Sequence, residues 1–126
     1  MILNLTDLSS ESLQSQISRQ IRARILAGDL AAGADLPSIR GLARSHHISV
    51  ITVQRAYESL EREGLIHSRR GKGFFVSELS DNAKKEKARV RLLEHVRPEI
   101  SAALEEGLTK QDIDDIVRTI VNEKRQ

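Results

Sequence analysis

Near the middle of the chain, a short run of side chains has the chemistry needed to recognise the edges of base pairs. The amide of Gln54 can donate and accept hydrogen bonds together, which matches the N6 and N7 atoms of adenine in the major groove of DNA. Hydroxyl groups two and five residues earlier can bond a phosphate or a base edge, and an outward Ile51 suits a thymine methyl group. We predict that this run contacts DNA through Ser49, Val50, Ile51, Thr52 and Gln54.

Basic side chains are concentrated around this run. Residues 38–77 hold seven Lys and Arg residues and three acidic residues, a local charge of +4, whereas the whole chain carries only +2. Arg40 lies in the first turn of the predicted helix at residues 39–45. Arg70 and Lys72 lie where a hairpin should turn, beside glycines whose backbone amides can approach phosphate. We therefore add to the predicted DNA contacts Ser38, Arg40, Arg70, Gly71 and Lys72.

Two helices are predicted before the recognition run. Hydrophobic residues recur every four positions over residues 13–25, the spacing of an amphipathic helix. Ser9 or Ser10 could cap this helix, and it should end just before Gly28. A second helix of about two turns should occupy residues 39–45, because Pro and Ser immediately before it mark a helix start.

A third helix and a β-hairpin complete this part of the chain. Ser49 is suited to cap a helix that runs to Glu63 and is closed by a following glycine. Strands at residues 65–69 and 74–77 flank a glycine-containing turn. Two helices joined by a tight turn and followed by a hairpin form a winged helix-turn-helix. The side of the third helix that faces the core should consist of Val53, Ala56, Tyr57 and Leu60.

The last part of the chain has the pattern of two more helices. A hydrophobic stripe continues through Pro98, where a kink or a break is expected, and Thr109 with Asp112 forms a capping box for the final helix. Two helices lack a third layer to cover their stripes, so a second copy of the chain is the simplest partner. The residues predicted for this dimer contact are Leu93, Val96, Ile100, Leu104, Ile113, Ile116, Val117 and Ile120.

Together these patterns predict a mainly α-helical chain with a small β-wing. The polar segment 78–82 separates the hairpin from a Lys- and Glu-rich region of different composition. We therefore assign residues 1–78 to a winged helix-turn-helix DNA-binding domain and residues 79–126 to a helical dimerisation tail.

Composition excludes several other kinds of protein. A chain of 126 residues with 39% hydrophobic content can form one small core, or a core plus an appendage. The absence of cysteine excludes disulfide scaffolds, thiolate catalysis and cysteine-ligated zinc. The four histidines have no completing ligands, and no nucleophile motif, carboxylate pair or phosphate-binding loop is present, so we expect no metal, no cofactor and no enzymatic activity. Without a secretory leader or a long apolar run, the chain is expected to be cytoplasmic and not to bind a membrane.

Three blocks of sequence resemble the GntR family of bacterial transcription regulators. In order, they are Gly28-x-Leu30-x-x-Gly33-x-x-Leu36-Pro37-Ser38-x-Arg40-x-Leu42-Ala43, then Thr52-Val53-x-Arg55-Ala56-Tyr57-x-x-Leu60-Glu61-x-Glu63-Gly64-Leu65-Ile66, and Gly71-x-Gly73-x-Phe75-Val76. The blocks stand at the expected spacing, and the resemblance covers about residues 10–77.

This resemblance implies a winged-helix dimer that binds an inverted-repeat operator. Its relatives usually carry Arg, Asn or Thr where this chain has Val50 and Ile51. The tail of about 45 residues is similar to that of the short-tailed YtrA-type subfamily, in which two helices serve mainly for dimerisation. In the family, contacts with DNA are made at the positions that match Arg40, Ser49, Val50, Ile51, Thr52, Gln54, Arg70, Gly71 and Lys72.

We therefore expect a sequence-specific DNA-binding transcription regulator, a repressor, that acts as a homodimer on double-stranded operator DNA. The alternative is a winged-helix protein-interaction module in which Val50, Ile51 and the wing form a surface for another protein. A small effector would have room only at the junction of the dimer. Arg55 suits a phosphate contact as well as it suits an ion pair with Glu58 or Glu61.

Overall fold

A computed structural model describes residues 1–125, which form five helices and one antiparallel two-stranded sheet. The predicted fold class, mainly α with a small β-wing, is confirmed. The elements in chain order are α1 (Leu13–Leu26), α2 (Ile39–His46), α3 (Val50–Arg62), β1 (Ile66–Arg69), β2 (Gly73–Val76), α4 (Asp81–Glu105) and α5 (Lys110–Arg125).

The cap of α1 differs from the prediction. Ser12 caps the helix, and its Oγ accepts a hydrogen bond from the backbone N–H of Ser15 at 3.1 Å. The prediction that Ser9 or Ser10 caps it is wrong. The Ser9 hydroxyl instead accepts from the N–H of Glu11 at 3.0 Å in the turn that leads into the helix, so helical backbone begins only after that turn.

The core lies between α1 and α3 and is closed by α2 and the hairpin. Ile17, Ile21 and Ile25 of α1 are fully buried, as their spacing predicted. The predicted inward face of α3 is also confirmed, because all four of its residues are buried. Each large aliphatic side chain buried in this way contributes roughly 1.5 to 3 kcal/mol. One side of α3 is thus fixed against the core, which leaves the opposite side for solvent or a ligand.

The first six residues pack along α1, a feature that sequence analysis did not predict. Leu3 is buried in the core. The side chain of Gln16, also buried, accepts from the N–H of Thr6 at 3.0 Å and donates to the Thr6 carbonyl at 2.9 Å. One turn later, Gln20 makes the same pair of bonds with the backbone of Asn4. Two glutamines on one face of α1 therefore hold the amino-terminal segment in place.

The hairpin pairs Ile66 with Val76 and Arg69 with Gly73 at the two ends of its register. The loop before α2 runs beside β2. The N–H of Leu36 donates to the Phe74 carbonyl at 3.0 Å, and further backbone bonds join residues 33 and 34 to Val76. The hairpin is therefore bonded to the segment that leads into α2, which holds the wing in place beside the helix-turn-helix.

Helix α4 ends and α5 begins where the sequence indicates, but α4 begins at Asp81, inside the polar segment 78–82. Helix α4 continues through Pro98 without a break; proline removes one backbone donor, but its fixed φ is compatible with helix. Gly107, with φ +97°, follows the end of α4. The capping box of α5 is confirmed, because Thr109 N–H donates to Asp112 Oδ2 at 2.8 Å and Asp112 N–H donates to Thr109 Oγ1 at 3.2 Å.

The chain divides into two compact units, Met1–Lys85 and a second unit that starts at Glu86. The division therefore falls inside α4, whereas the change in composition falls after residue 78. Leu79 packs against the core of the first unit, which explains why the first unit extends beyond the end of the hairpin.

Candidate DNA interface

The amino end of α2 is fixed by a cap and by a bond from α3. Ser38 Oγ accepts a hydrogen bond from the Gly41 N–H at 3.0 Å, and a β-carbon at Gly41 would lie 2.8 Å from that oxygen. Tyr57 Oη donates to the Pro37 carbonyl at 2.7 Å. Burial raises the pKa of the Tyr57 phenol, which keeps it protonated as the donor. Arg40 is exposed and lies in the first turn of α2. The Ser38 cap and the Tyr57 bond fix the backbone at the start of this turn.

The first turn of α3 exposes two hydrophobic side chains. Val50 is 41% exposed and Ile51 is 57% exposed, although both belong to a helix whose other face is the core. Ser49 caps the helix, with its Oγ accepting from the Ile51 N–H at 3.1 Å. The hydroxyl keeps its own proton to donate to a phosphate. Thr52 is half-buried beside this group.

The next turn of α3 carries a network of polar side chains. Gln54 Nε2 donates to Glu58 Oε1 at 3.1 Å, which leaves the amide oxygen and the second N–H hydrogen of Gln54 available to a base. Glu61 accepts from the Ser68 hydroxyl of β1 at 3.1 Å. Glu58 and Glu61, the two acids that could pair with Arg55, are thus bonded to other side chains. Arg55 forms no ion pair within residues 1–125 and is exposed.

The tip of the wing presents cations from a tight turn. Arg70, Gly71 and Lys72 are exposed, and Gly71 has φ +75°, a left-handed backbone that favours glycine. The Lys72 N–H donates to the Arg69 carbonyl at 2.9 Å. The Arg69 guanidinium is 4.8 Å from the centre of the Phe75 ring. The turn thus offers Arg70 and Lys72 to an anionic ligand, while Arg69 contacts the hairpin itself.

Two of the predicted contacts meet at a depression between α2 and α3, which has a volume of about 330 Å³. Sequence analysis did not select two cationic or titratable residues in its lining, Arg44 and His47. Arg44 follows Arg40 by four residues, so helical spacing could have indicated it. His47 gives no such signal, because its position depends on the left-handed backbone that ends α2. The depression is lined by Arg40, Ala43, Arg44, His47, Ile48 and Val50.

The residues predicted for dimerisation lie on α4 and α5, which contain no buried residue within the described part of the chain. Val96, Ile100 and Ile113 are half-buried. A stripe of exposed hydrophobic residues on a helix marks an interaction surface. The most exposed of the predicted set, each between 42 and 54% exposed, are Leu93, Leu104, Ile116, Val117 and Ile120.

No group of three or more His, Cys, Asp or Glu side chains within residues 1–125 is placed to hold a metal ion. None of the helices in that range has the length and hydrophobicity of a bilayer-spanning segment.

Comparison with protein families gives a match over residues 13–76 to the bacterial regulatory proteins of the gntR family. The matched segment is half of the chain and contains α1 to α3 and both strands. The chain belongs to the GntR family.

Relatives of this GntR protein include two proteins of Bacillus subtilis. The uncharacterised regulator YhcF is 33% identical over 113 residues, which cover 88% of this chain and 91% of YhcF. The repressor YtrA is 39% identical over 83 residues, which cover 66% of this chain and 62% of YtrA.

Solved structures of GntR proteins have the same fold. A GntR family regulator from Listeria monocytogenes aligns with a TM-score of 0.72 at 28% identity, covering 91% of this chain and 98% of its own. YtrA from Sulfolobus acidocaldarius, a GntR-family transcription factor, aligns with a TM-score of 0.59 at 29% identity over 98% of this chain and all of its own. The GntR chain is therefore a winged-helix transcription regulator with a DNA-binding domain, and not an enzyme.

Proposed function

We propose that this GntR protein is a cytoplasmic repressor that binds an inverted-repeat operator as a homodimer, with the first turn of α3 in the major groove. The observation that carries this proposal is the exposure of Val50 and Ile51 directly after the Ser49 cap, where Val50 lines a depression together with Arg40. Hydrophobic groups beside an unpaired guanidinium suit thymine methyl groups next to a phosphate.

Within this arrangement the side chains of α3 have different tasks. Gln54 would read adenine through its amide oxygen and its remaining N–H. Thr52 and Ser49 would bond a base edge or a phosphate at the start of the helix, where the helix dipole also favours negative charge. The exposed Arg55 would contact the backbone on the flank of the groove. Specificity would therefore come mainly from the first two turns of α3.

The remaining predicted contacts supply affinity. Ser38 and Arg40 at the amino end of α2 would bind the backbone on one side of the groove, and Arg70, Gly71 and Lys72 of the wing tip would bind it on another. Such contacts release counterions and make binding depend steeply on salt.

A second copy of the chain is the proposed partner of α4 and α5. Their hydrophobic stripes lie uncovered on helices with no buried residue in the described range, and a two-fold contact between identical stripes would cover both at once. Two-fold symmetry in turn requires an operator with two inverted half-sites, spaced by about one helical turn of DNA or roughly 34 Å.

The proposal that the protein represses transcription is supported by the names of its relatives. YtrA and NagR of Bacillus subtilis are both named repressors, and their similarity to this chain is 39% and 36% over the matched residues. A dimer seated on a promoter would exclude other proteins from the same DNA.

The test measures binding of the full chain to fluorescently labelled duplexes that tile the region upstream of its own gene, followed by footprinting of the tightest one. We expect a protected inverted repeat.

The substitution Gln54→Ala should weaken binding to that duplex by roughly 1 to 3 kcal/mol and leave binding to a random-sequence duplex unchanged. Gln111→Ala is a matched control, because Gln111 bonds Asp115 four residues later on α5 as Gln54 bonds Glu58. If no duplex binds at moderate salt, the proposal is wrong and a protein-interaction module is favoured.

A further inference from the structure

The depression between α2 and α3 contains a second guanidinium that the proposed interface does not use. Arg44 is one helical turn beyond Arg40 on α2, and both line the depression together with His47. The rest of the lining is hydrophobic and consists of Ala43, Ile48 and Val50. Cationic groups around a hydrophobic floor form a site for an anion, because no carboxylate lines the depression to neutralise them.

Most other arginines of α1 and the hairpin are occupied within the chain. Arg19 pairs with Glu11 at 3.0 Å, Arg22 pairs with Glu63 at 2.7 Å, and Arg69 lies over an aromatic ring. In contrast, Arg40 and Arg44 form no ion pair within residues 1–125 and are exposed. Their guanidinium groups are therefore available to a ligand.

The first turn of α3, at the edge of the same depression, has no cation of its own. Val50, Ile51 and Thr52 are uncharged, so an anion held at this end of the helix must be neutralised from α2. The planar guanidinium group has a fork of N–H donors that matches the oxygens of a phosphate. The spacing of Arg40 and Arg44 would place two such groups along one face of α2.

The backbone of His47 fixes where its side chain lies. His47 ends α2 with φ 54° and ψ 47°, and it is the one residue other than glycine with positive φ in the described range. Glycine adopts this conformation without strain, whereas a residue with a β-carbon does not. This left-handed cap turns the chain at the end of α2 and leaves the exposed side chain of His47 in the lining of the depression, beside Arg44.

We infer that Arg44 and His47 bind a phosphate of the DNA backbone on the flank of the groove that α3 enters, so that α2 supplies the charge that the first turn of α3 lacks. This inference rests on the proposed function. A contact with phosphate carries no sequence information, so it contributes equally to operator and to random DNA.

The test measures the dissociation constant of the full chain for the footprinted duplex and for a random-sequence duplex of equal length, over a series of KCl concentrations. Arg44→Ala should weaken binding to both duplexes by about fivefold and should lower the slope of log affinity against log salt by about 0.9. Arg44→Lys should retain most of that slope. Arg19→Ala is the charge-matched control on α1 and should leave the slope unchanged.

His47→Gly separates a binding role from a structural one. We expect its melting temperature to stay constant or rise, because the left-handed strain is relieved, while its affinity for both duplexes falls. Equal affinity and slope for Arg44→Ala and Arg19→Ala would overturn the inference, and so would unchanged affinity in His47→Gly. In either case the proposed function still stands if Gln54→Ala loses its preference for the footprinted duplex. If the wild-type chain binds neither duplex, both are wrong.

Discussion

The buried hydroxyl of Tyr57 on α3 donates a 2.7 Å hydrogen bond to the carbonyl of Pro37, the residue immediately before the cap of α2. The same ring meets Phe74 of the wing edge-to-face, with centroids 5.1 Å apart. One side chain therefore joins the recognition helix, the entry to α2 and the wing. The relative positions of the three proposed DNA-contacting elements depend on it.

Removing this hydroxyl should destabilise the fold while preserving its packing. We expect Tyr57→Phe to lower the free energy of unfolding by about 1 to 3 kcal/mol, because the Pro37 carbonyl loses its donor while the ring contact with Phe74 is kept. Urea denaturation followed by circular dichroism measures this change. Phe75→Leu, a substitution in the partly exposed part of the wing, is the comparison. An unchanged midpoint for Tyr57→Phe would show that the bond contributes nothing.

The ionisation of Tyr57 should be coupled to unfolding at high pH. Burial raises the pKa of its phenol above the usual value near 10. The unfolded chain then loses this proton at a lower pH than the folded chain, so stability is fully present below about pH 10 and falls as pH rises above it. Tyr57 is the sole tyrosine and there is no tryptophan, so absorbance at 295 nm reports it alone. Ionisation at about pH 10 without loss of ellipticity would contradict this prediction.

The bonds from Gln16 should make the amino-terminal segment part of the cooperative fold. Gln16→Ala removes bonds to both backbone groups of Thr6 and to the Glu11 carbonyl. We expect it to lower stability by roughly 2 to 3 kcal/mol and to abolish hydrogen-exchange protection at Thr6. Gln20→Ala, which removes the more exposed pair of bonds to Asn4, should cost about half as much. Equal effects of the two variants would mean that burial of Gln16 adds nothing.

A charge placed in the stripe of α5 should prevent dimerisation without unfolding the winged helix. Ile120 is 52% exposed in the chain, so Ile120→Glu adds no strain to the protomer but would bury an unpaired carboxylate in a dimer. Sedimentation equilibrium should show a monomer. In thermal denaturation, the winged-helix unit Met1–Lys85 should unfold at the same temperature as in the wild-type chain. Asn122→Glu, beside the stripe, should remain a dimer. Dimerisation of Ile120→Glu would place the contact elsewhere.

Periodicity predicted α1 to α3 and their core because each helix has one face that must be buried, and burial determines which residue types occur there. The amino-terminal segment could not be predicted in the same way. Residues 1–6 form neither helix nor strand. The bonds that hold them come from Gln16 and Gln20, and in the sequence these two glutamines cannot be told from ordinary solvent-exposed polar residues. Of the kink or break expected at Pro98, the break was wrong, because α4 continues through the proline despite the missing donor.

The interface was predictable to the extent that it follows from helical geometry. Arg40 and Val50 were selected by their places at helix starts, and the depression brings them together. His47 was not selected, because a left-handed histidine has no signature in the sequence; Gly or Asn would have indicated that backbone. The proposed contact of α4 and α5 with a second copy could not be derived in this way, because a single chain shows only their uncovered hydrophobic stripes.

The docking of the first residues along α1 also determines where a fragment of this protein has to begin if it is to keep its whole core. A fragment cut at Leu13, where the family match begins, would lose Leu3 from its interior and leave the amide of Gln16 without Thr6. A winged-helix fragment that keeps these contacts must therefore start at or before Leu3, and affinity tags should be joined to its amino end through a spacer.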